Sequence, residues 1–450
     1  MDFAKRAVDH LHYDIDPIVR NRLDIDFYKL TMGRVIHEKH PLTRVEFALQ
    51  NRTTDVRLAD IIPIEVMRAQ LDHAQKLRYS ASELIWIRGN TFYGQEGIFP
   101  PAYIDALRTS RLPDYELSKN EETGQFDLRS HGTWLDTKDW ETIKLSITNE
   151  LRNRVIMSQL SPMQLDIMYA RAKTKLYAKL ERIKQFPNIK LGDFGTRRRH
   201  SQPWQRHVVE MMIEILGEQF VGTSNCHLAK ELGVEAIGTN AHEMPMVYAT
   251  LAAVEHPDDD EALRQSQYQV LKDWTNVYGP NMTVFLPDTF GTTQFLENAP
   301  AGIEYWNGAR PDSKDPYEAG EELIDWWKAK SQNPLSKAVV FSDGLDVRIE
   351  GYEPNGIDLI DIHSHFTGRV NDTYALGTMG TNDFIGCVPG DPLALKPISL
   401  VCKVQRANGR PAVKISDNPA KAASPSQEEI ARYMRAFGAE VIGNNRTTKV

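Results

Sequence analysis

An aromatic ring and three arginines stand together in Asp193-Phe194-Gly195-Thr196-Arg197-Arg198-Arg199, just past the apolar run Asn188 to Leu191. Further along, Gly238-Thr239-Asn240-Ala241-His242-Glu243 puts a histidine just past Glu235 to Ile237. Arginine forks match phosphate and carboxylate oxygens two bonds at a time. An aromatic face suits a flat ring, and histidine serves as acid, base or nucleophile. The combination predicts a flat aromatic substrate, an anionic co-substrate and a covalent step. Each group also has a plainer reading. Three arginines can form a solvated basic turn, and a lone histidine is more often structural than catalytic.

Two further segments share a form. Asp288-Thr289-Phe290-Gly291-Thr292 and Ser342-Asp343-Gly344-Leu345-Asp346 each place an acid after an apolar run, in a turn of small residues. Such carboxylates can hold magnesium or ribose hydroxyls; helix capping is the alternative. The turn Gly377-Thr378-Met379-Gly380-Thr381-Asn382 can cradle a phosphate with its amides, although glycine turns are common. His363-Ser364-His365 lacks a further acid or cysteine at ligand spacing, so no metal is expected there. Asp258-Asp259-Asp260 reads as the cap of a helix beginning near Glu261.

The elements that must position these groups show in the texture from about residue 187. Apolar runs at 189–194, 219–222, 235–238, 283–288, 303–310, 338–343 and 374–377 alternate with helical patterns at 208–216, 244–254 and 317–329. Alternating strand and helix predicts parallel βα units. Arg197, Ser224, His242, Asp288, Arg310, Asp343 and Thr378 fall just after these strands, the end at which a βα barrel builds its site. An open doubly wound sheet gives a similar pattern; the barrel is the favoured reading. Upstream, 58–77 has mixed helical spacing, Asn120 to Gln125 reads as a hairpin tip or surface loop, and Trp140 to Arg154 and Met163 to Ile183 read as amphipathic helices. The tail reads as a hairpin of Ser399 to Gln405 and Pro411 to Ser416 around Asn408-Gly409, packing on the N-terminal part.

With 450 residues, 41% hydrophobic and 25% charged, the chain is expected to hold two or three domains around a sizeable core. A net charge of -8 argues against wholesale nucleic-acid binding, so a local basic cluster reads as a pocket for a small anion. Cys226, Cys387 and Cys402 form no CxxC pair, as in a reducing compartment. Met1 to Tyr13 shows no apolar signal, and no run reaches the ~18 apolar residues of a spanning helix. A cytoplasmic enzyme is expected.

From about Asp24 to Lys421 the chain resembles the nicotinate phosphoribosyltransferase family, an ordered set of short motifs carrying the likeness. They are Asp26-Phe27-Tyr28-Lys29-Leu30-Thr31-Met32, the Phe194 to Arg199 segment, Gly222-Thr223-Ser224-Asn225, the His242 segment, and Asp288 to Thr292. After these come Gly308-Ala309-Arg310-Pro311-Asp312-Ser313, Ser342 to Asp346, Leu376-Gly377-Thr378, and Lys414-Ile415-Ser416-Asp417-Asn418-Pro419.

The resemblance implies an irregular βα barrel over 156–390, an α+β N-terminal domain over 1–155, and a hairpin and tail over 391–450 packing on that domain. It implies that nicotinate and phosphoribosyl pyrophosphate become nicotinate mononucleotide and pyrophosphate. ATP is a co-substrate, phosphorylating His242, and Mg2+ is held mainly by the substrate's pyrophosphate. Nicotinate would be bound by Tyr28, Phe194, Arg197, Ser224, Thr239 and Arg310. Tyr28 would reach in from a second subunit of a homodimer. Phosphoribosyl pyrophosphate would be bound by Arg198, Asp312, Ser313, Asp343, Gly344, Gly377 and Thr378, with Asp288 near ribose and magnesium. The related nicotinamide enzyme has an aspartate where Ser224 stands; a neutral serine favours the acid. A non-catalytic phosphosugar-binding protein would be expected to lack His242, Asp288 or Arg310. The chain departs from the family pattern at His200, Met244, Ala375-Leu376 and Ala420.

Overall fold

The computed structural model describes residues 16–417 and 422–438. The readings of Met1 to Tyr13 and of Asn418 to Lys421 lie outside the described residues. Along the described chain run strands β1 (Arg44–Asn51), β2 (Tyr115–Asn120), β3 (Gln125–Thr133), β4 (Lys190–Asp193), β5 (Phe220–Thr223), β6 (Val284–Phe285) and β7 (Gly308–Ala309). They continue as β8 (Ala338–Phe341), β9 (Leu345–Asp346), β10 (Ile357–Asp358), β11 (Asn371–Leu376), β12 (Leu400–Ala407) and β13 (Arg410–Pro411).

The antiparallel sheet β13-β12-β1-β3-β2 joins both ends of the chain. Its strands alternate buried and exposed side chains, as in β3, because one face meets the core. β12 runs antiparallel to β1 from Asn51 opposite Leu400 to Val45 opposite Ala407, so the C-terminal hairpin packs on the N-terminal part. Its second strand is shorter than expected. After Ala412 donates to the Gln405 carbonyl, the chain departs, and the amides of Ile415 and Ser416 donate to Thr289 instead.

The second sheet is parallel, in the order β5-β4-β11-β8-β7-β6, with β9 and β10 as a separate parallel pair. Its strands are short, and runs such as Ala338-Val339-Val340-Phe341 suit a sheet covered on both faces. Helices Gln202–Leu216, Pro316–Ala329 and Leu359–Phe366 supply crossovers, capped by the side chains of Ser201, Asp315 and Asp358.

No ladder among the described residues joins β5 to β6, so pairing does not close the irregular ring of strands there. Two local expectations need correction. The expected strand at 235–238 makes one parallel bridge, Thr223 to Ala236, and then turns at Gly238 with φ 135°. That turn ends pairing before a ladder can form. Trp140–Met157, expected to be amphipathic, is buried on nearly every side. It lies between β1, β12 and the turn after β4, where its polar face finds partners. Lys144 Nζ donates to Ser130 Oγ at 2.9 Å, and Asn149 Nδ2 to the Arg199 carbonyl at 2.6 Å.

Candidate active site

Phe194, Asp288, Arg310, Ser342 and Gly377 follow the carboxyl ends of β4, β6, β7, β8 and β11. A cavity of about 240 Å³ opens at this end of the sheet, closed from the other side by β12 and the start of helix Tyr28–Lys39. The sheet alone could not make it.

His242 stands just before helix Glu243–Glu255 and lines the cavity. Its Nε2 is 2.9 Å from Asp288 Oδ1, and its Nδ1 is 3.8 Å from Asp312 Oδ2. Burial opposes ionisation of Asp288, but His242 and Lys414 outweigh it and hold the carboxyl far below its usual range. Burial also pushes the imidazole below its ordinary 6.5, against the pull of Asp288. A carboxylate can only accept, so Nε2 carries the proton and Nδ1 keeps its lone pair.

Tyr28, Phe194 and Arg197 line the same cavity, with the Arg197 guanidinium 5.5 Å from the Tyr28 ring centre. Tyr28 was expected from a second subunit; here it belongs to the same chain. The preceding segment is tied to its own β5 turn. Phe27 N donates to Ser224 O at 2.6 Å, Cys226 N to Ile25 O at 3.0 Å, and His227 N to Leu23 O at 2.8 Å. Gly238 leaves room for this approach, since a Cβ there would sit 3.3 Å from the Tyr28 nitrogen.

Arg198, Arg310, Asp312, Asp343, Gly344, Gly377 and Thr378 also line the cavity. Arg310 donates to the Asn240 carbonyl at 3.0 Å, and Ser342 Oγ to Asp312 Oδ1 at 2.7 Å. Four expected residues lie outside its lining. Asp288 is fully buried behind His242. Ser224 Oγ donates to Asp26 Oδ1 at 2.7 Å, and Asp26 Oδ2 is 3.3 Å from Arg197 Nε, so Ser224 reaches the cavity only through two other residues. Thr239 offers its carbonyl to Thr31 Oγ1 at 2.5 Å. Ser313 Oγ donates to Asp417 at 3.1 Å. Arg199 is structural, forking onto Asp24 at 2.6 and 2.7 Å.

Sequence reasoning missed several lining residues. Arg52 and Lys403 come from beside β1 and from β12, and Lys414 from beyond β13. Strand alternation marks only a face, so no motif announces Arg52 or Lys403, whereas Lys414 opens the Lys414 to Pro419 motif but was given no role there. Burial, then the nearby Lys414 and Arg52, push Lys403 far below its ordinary value. An arriving polyanion relieves that repulsion. Glu141 and Glu243 share Lys29: its Nζ is 2.5 Å from Glu141 and also bonds Glu243, whose other oxygen accepts from Trp134 Nε1 at 2.6 Å. Lys29 stands in the Asp26 to Met32 motif, its one sequence signal.

His242, Asp288 and Asp312 offer donor atoms within 4.8 Å of one another. The two carboxylates suit a hard cation such as Mg2+, whereas the imidazole does not. His363 and His365 do not converge: the first bonds Asp372 at 2.6 Å, the second Glu321 at 2.6 Å. No helix among the described residues is long and apolar enough to cross a membrane. The three cysteines are free and buried.

Fold and site define an α/β protein whose ring-and-anion cavity lies between a parallel sheet's carboxyl ends and a second, antiparallel sheet. A model of the nicotinate phosphoribosyltransferase (NAPRTase) family matches residues 189–440, and one of the NAPRTase N-terminal domain matches 23–149. The chain belongs to the nicotinate phosphoribosyltransferase family. It is similar to the crystal structure of nicotinate phosphoribosyltransferase from Vibrio cholerae, at 26% identity over 96% of each chain and a TM-score of 0.80. It is similar also to that from Porphyromonas gingivalis, at 25% identity over 94% of this chain and 100% of that one, with a TM-score of 0.77.

Proposed function

We propose that this chain joins the ring nitrogen of nicotinate to C1 of phosphoribosyl pyrophosphate. Nicotinate mononucleotide and pyrophosphate are the products, and ATP hydrolysis is coupled through a phosphohistidine at His242. This is the first step of NAD biosynthesis from nicotinate. The observation that carries the reading is His242, backed by the buried Asp288, in a cavity lined also by Tyr28, Phe194 and the basic side chains of Arg52, Arg197, Arg198, Lys403 and Lys414.

In the transfer, the bond from C1 to the pyrophosphate oxygen breaks while the ring nitrogen bonds C1. The protein needs no nucleophile for this; it must hold two reactants in line. Tyr28 and Phe194 receive the ring, and Arg197 and Arg310 are the charged partners of its carboxylate. Positive charge grows on the ribose as the bond breaks; Asp312 lines the cavity and is the carboxylate that would face it, with Asp288 acting from behind His242. Magnesium carried in on the substrate's pyrophosphate would neutralise leaving-group charge, and the carboxylates of Asp288 and Asp312 are the protein groups that would hold it.

The phosphoryl cycle is separate. The free Nδ1 of His242 attacks the terminal phosphorus of ATP, the oxygen bond to ADP breaks, and Asp288 steadies the imidazole that has gained charge. Water later takes the phosphoryl group and restores the ring.

The test is product formation from nicotinate and phosphoribosyl pyrophosphate with magnesium, with and without ATP, in wild type and His242→Ala. ATP should stimulate the wild type and leave the variant unaffected. Product with nicotinamide alone would overturn the choice of acid. No product with either base would overturn the reaction.

A further inference from the structure

Below the two turns at Ser342–Gly344 and Gly377–Thr378 lies a charged cluster that the reaction does not use. Lys179, on helix Pro162–Lys184, is 2% exposed. Its Nζ donates to Asp346 Oδ1 at 2.5 Å, to Asp383 Oδ2 at 2.6 Å and to the Met379 carbonyl at 3.1 Å. Those three acceptors use all three protons of the ammonium.

Each acceptor belongs to a wall of the cavity. Asp346 ends β9, directly after the Ser342–Gly344 turn and Leu345. Its Oδ2 accepts from Asn355 N at 2.7 Å and Tyr352 Oη at 3.0 Å, and Asn355 itself lines the cavity. Met379 follows Thr378 in the other turn, and Asp383 stands just past it. Lys175, one helical turn before Lys179, bonds Asp383 at 3.0 Å, so two ammoniums meet two carboxylates. None of these four charged side chains lines the cavity.

We infer that Lys179 is a positioning residue for the phosphoribosyl site: one buried ammonium fixes the spacing of the two turns that hold the sugar phosphate. The inference rests on the proposed phosphoribosyl transfer. A phosphate bridging two turns needs both at the right separation, and a charge with three fixed acceptors is a stiffer spacer than apolar packing. On the ring-binding side Tyr28 Oη donates to Glu141 and Phe194 N to the Leu376 carbonyl, neither of them a partner of Lys179, so nicotinate affinity should be spared.

The experiment compares wild type, Lys179→Met and Asp383→Asn. Phosphoribosyl pyrophosphate binding is read by calorimetry without nicotinate, and KM for each substrate by product formation. Lys179→Met should weaken phosphoribosyl pyrophosphate about tenfold, and Asp383→Asn about threefold, with nicotinate KM within about twofold of wild type. Thermal melts identify folded protein. If Lys179→Met does not fold, Asp383→Asn carries the test, since it keeps the ammonium and the shape of the site. Unchanged phosphoribosyl pyrophosphate affinity in a folded variant, or equal losses for both substrates, overturns the inference. Wild type that binds phosphoribosyl pyrophosphate but makes no product sinks the proposed reaction alone, and calorimetry on the variants still decides the role of Lys179.

Discussion

His242 is useful as a nucleophile only while neutral, and its surroundings keep it so. Burial sets its pKa below 6.5 despite Asp288. The protonated form therefore accumulates only below that value, and the ATP-dependent rate should fall on an acid limb centred under pH 6.5. A limb at or above 6.5 in the pH profile of ATP-stimulated product formation would contradict this. Asp288→Asn should lower the ATP-stimulated rate by on the order of a thousandfold, because it loses the charge facing Nε2. His200 offers a stability test. It is fully buried, stacked on Phe384 at 3.8 Å, and burial holds its pKa down to about 3. The unfolded chain binds a proton near 6.5 that the folded chain refuses, so stability declines as pH falls from there toward 3, by up to about 1.4 kcal/mol per unit. His200→Phe should flatten Tm against pH between 6 and 4; equal slopes would refute the argument. Position of Asp288 after an apolar run was legible in sequence. Its ionisation was not, because that depends on His242 and Lys414 across space.

The loop after β6 shows how a remote element sets a residue. Asp417 accepts from Thr292 N at 2.6 Å and Thr292 Oγ1 at 2.7 Å. Phe290 lies flat on Phe437 of helix Gln427–Phe437, rings 4.3 Å apart. Both grips come from the C-terminal segment and hold the loop that begins with Asp288. Phe437→Ala should cost about 3 kcal/mol on denaturation and lower kcat more than it raises KM, because the loosened loop misplaces Asp288. An unchanged denaturation midpoint would refute it. The strands 190–193, 220–223, 338–341 and 371–376 were legible as apolar runs, with small shifts at their ends. Residues 235–238 were not, since an apolar run looks the same whether a neighbour pairs with it or a glycine turns it away.

The chain closes on itself: its C-terminal hairpin completes the sheet that brings Arg52 and Lys403 over the strand ends of the parallel sheet. Tyr28 and His242 line one cavity in one chain. Mixing Tyr28→Ala with His242→Ala should therefore restore no activity beyond the sum of the two variants. Recovery on mixing would mean that the N-terminal segment is exchanged between subunits.

The sequence by itself determined the βα texture, the order of chemical residues after strand ends and, through short motifs, the family. These are local properties: apolar period, turn composition and residue type at a turn. Only the tertiary structure decided that no ladder closes the ring of strands, that Ser224 bonds Asp26 while the Thr239 carbonyl accepts from Thr31, and that Arg52, Lys403 and Glu141 complete the wall. Those outcomes depend on which segments, hundreds of residues apart, bury each other's polar groups, and one sequence carries no mark of that pairing.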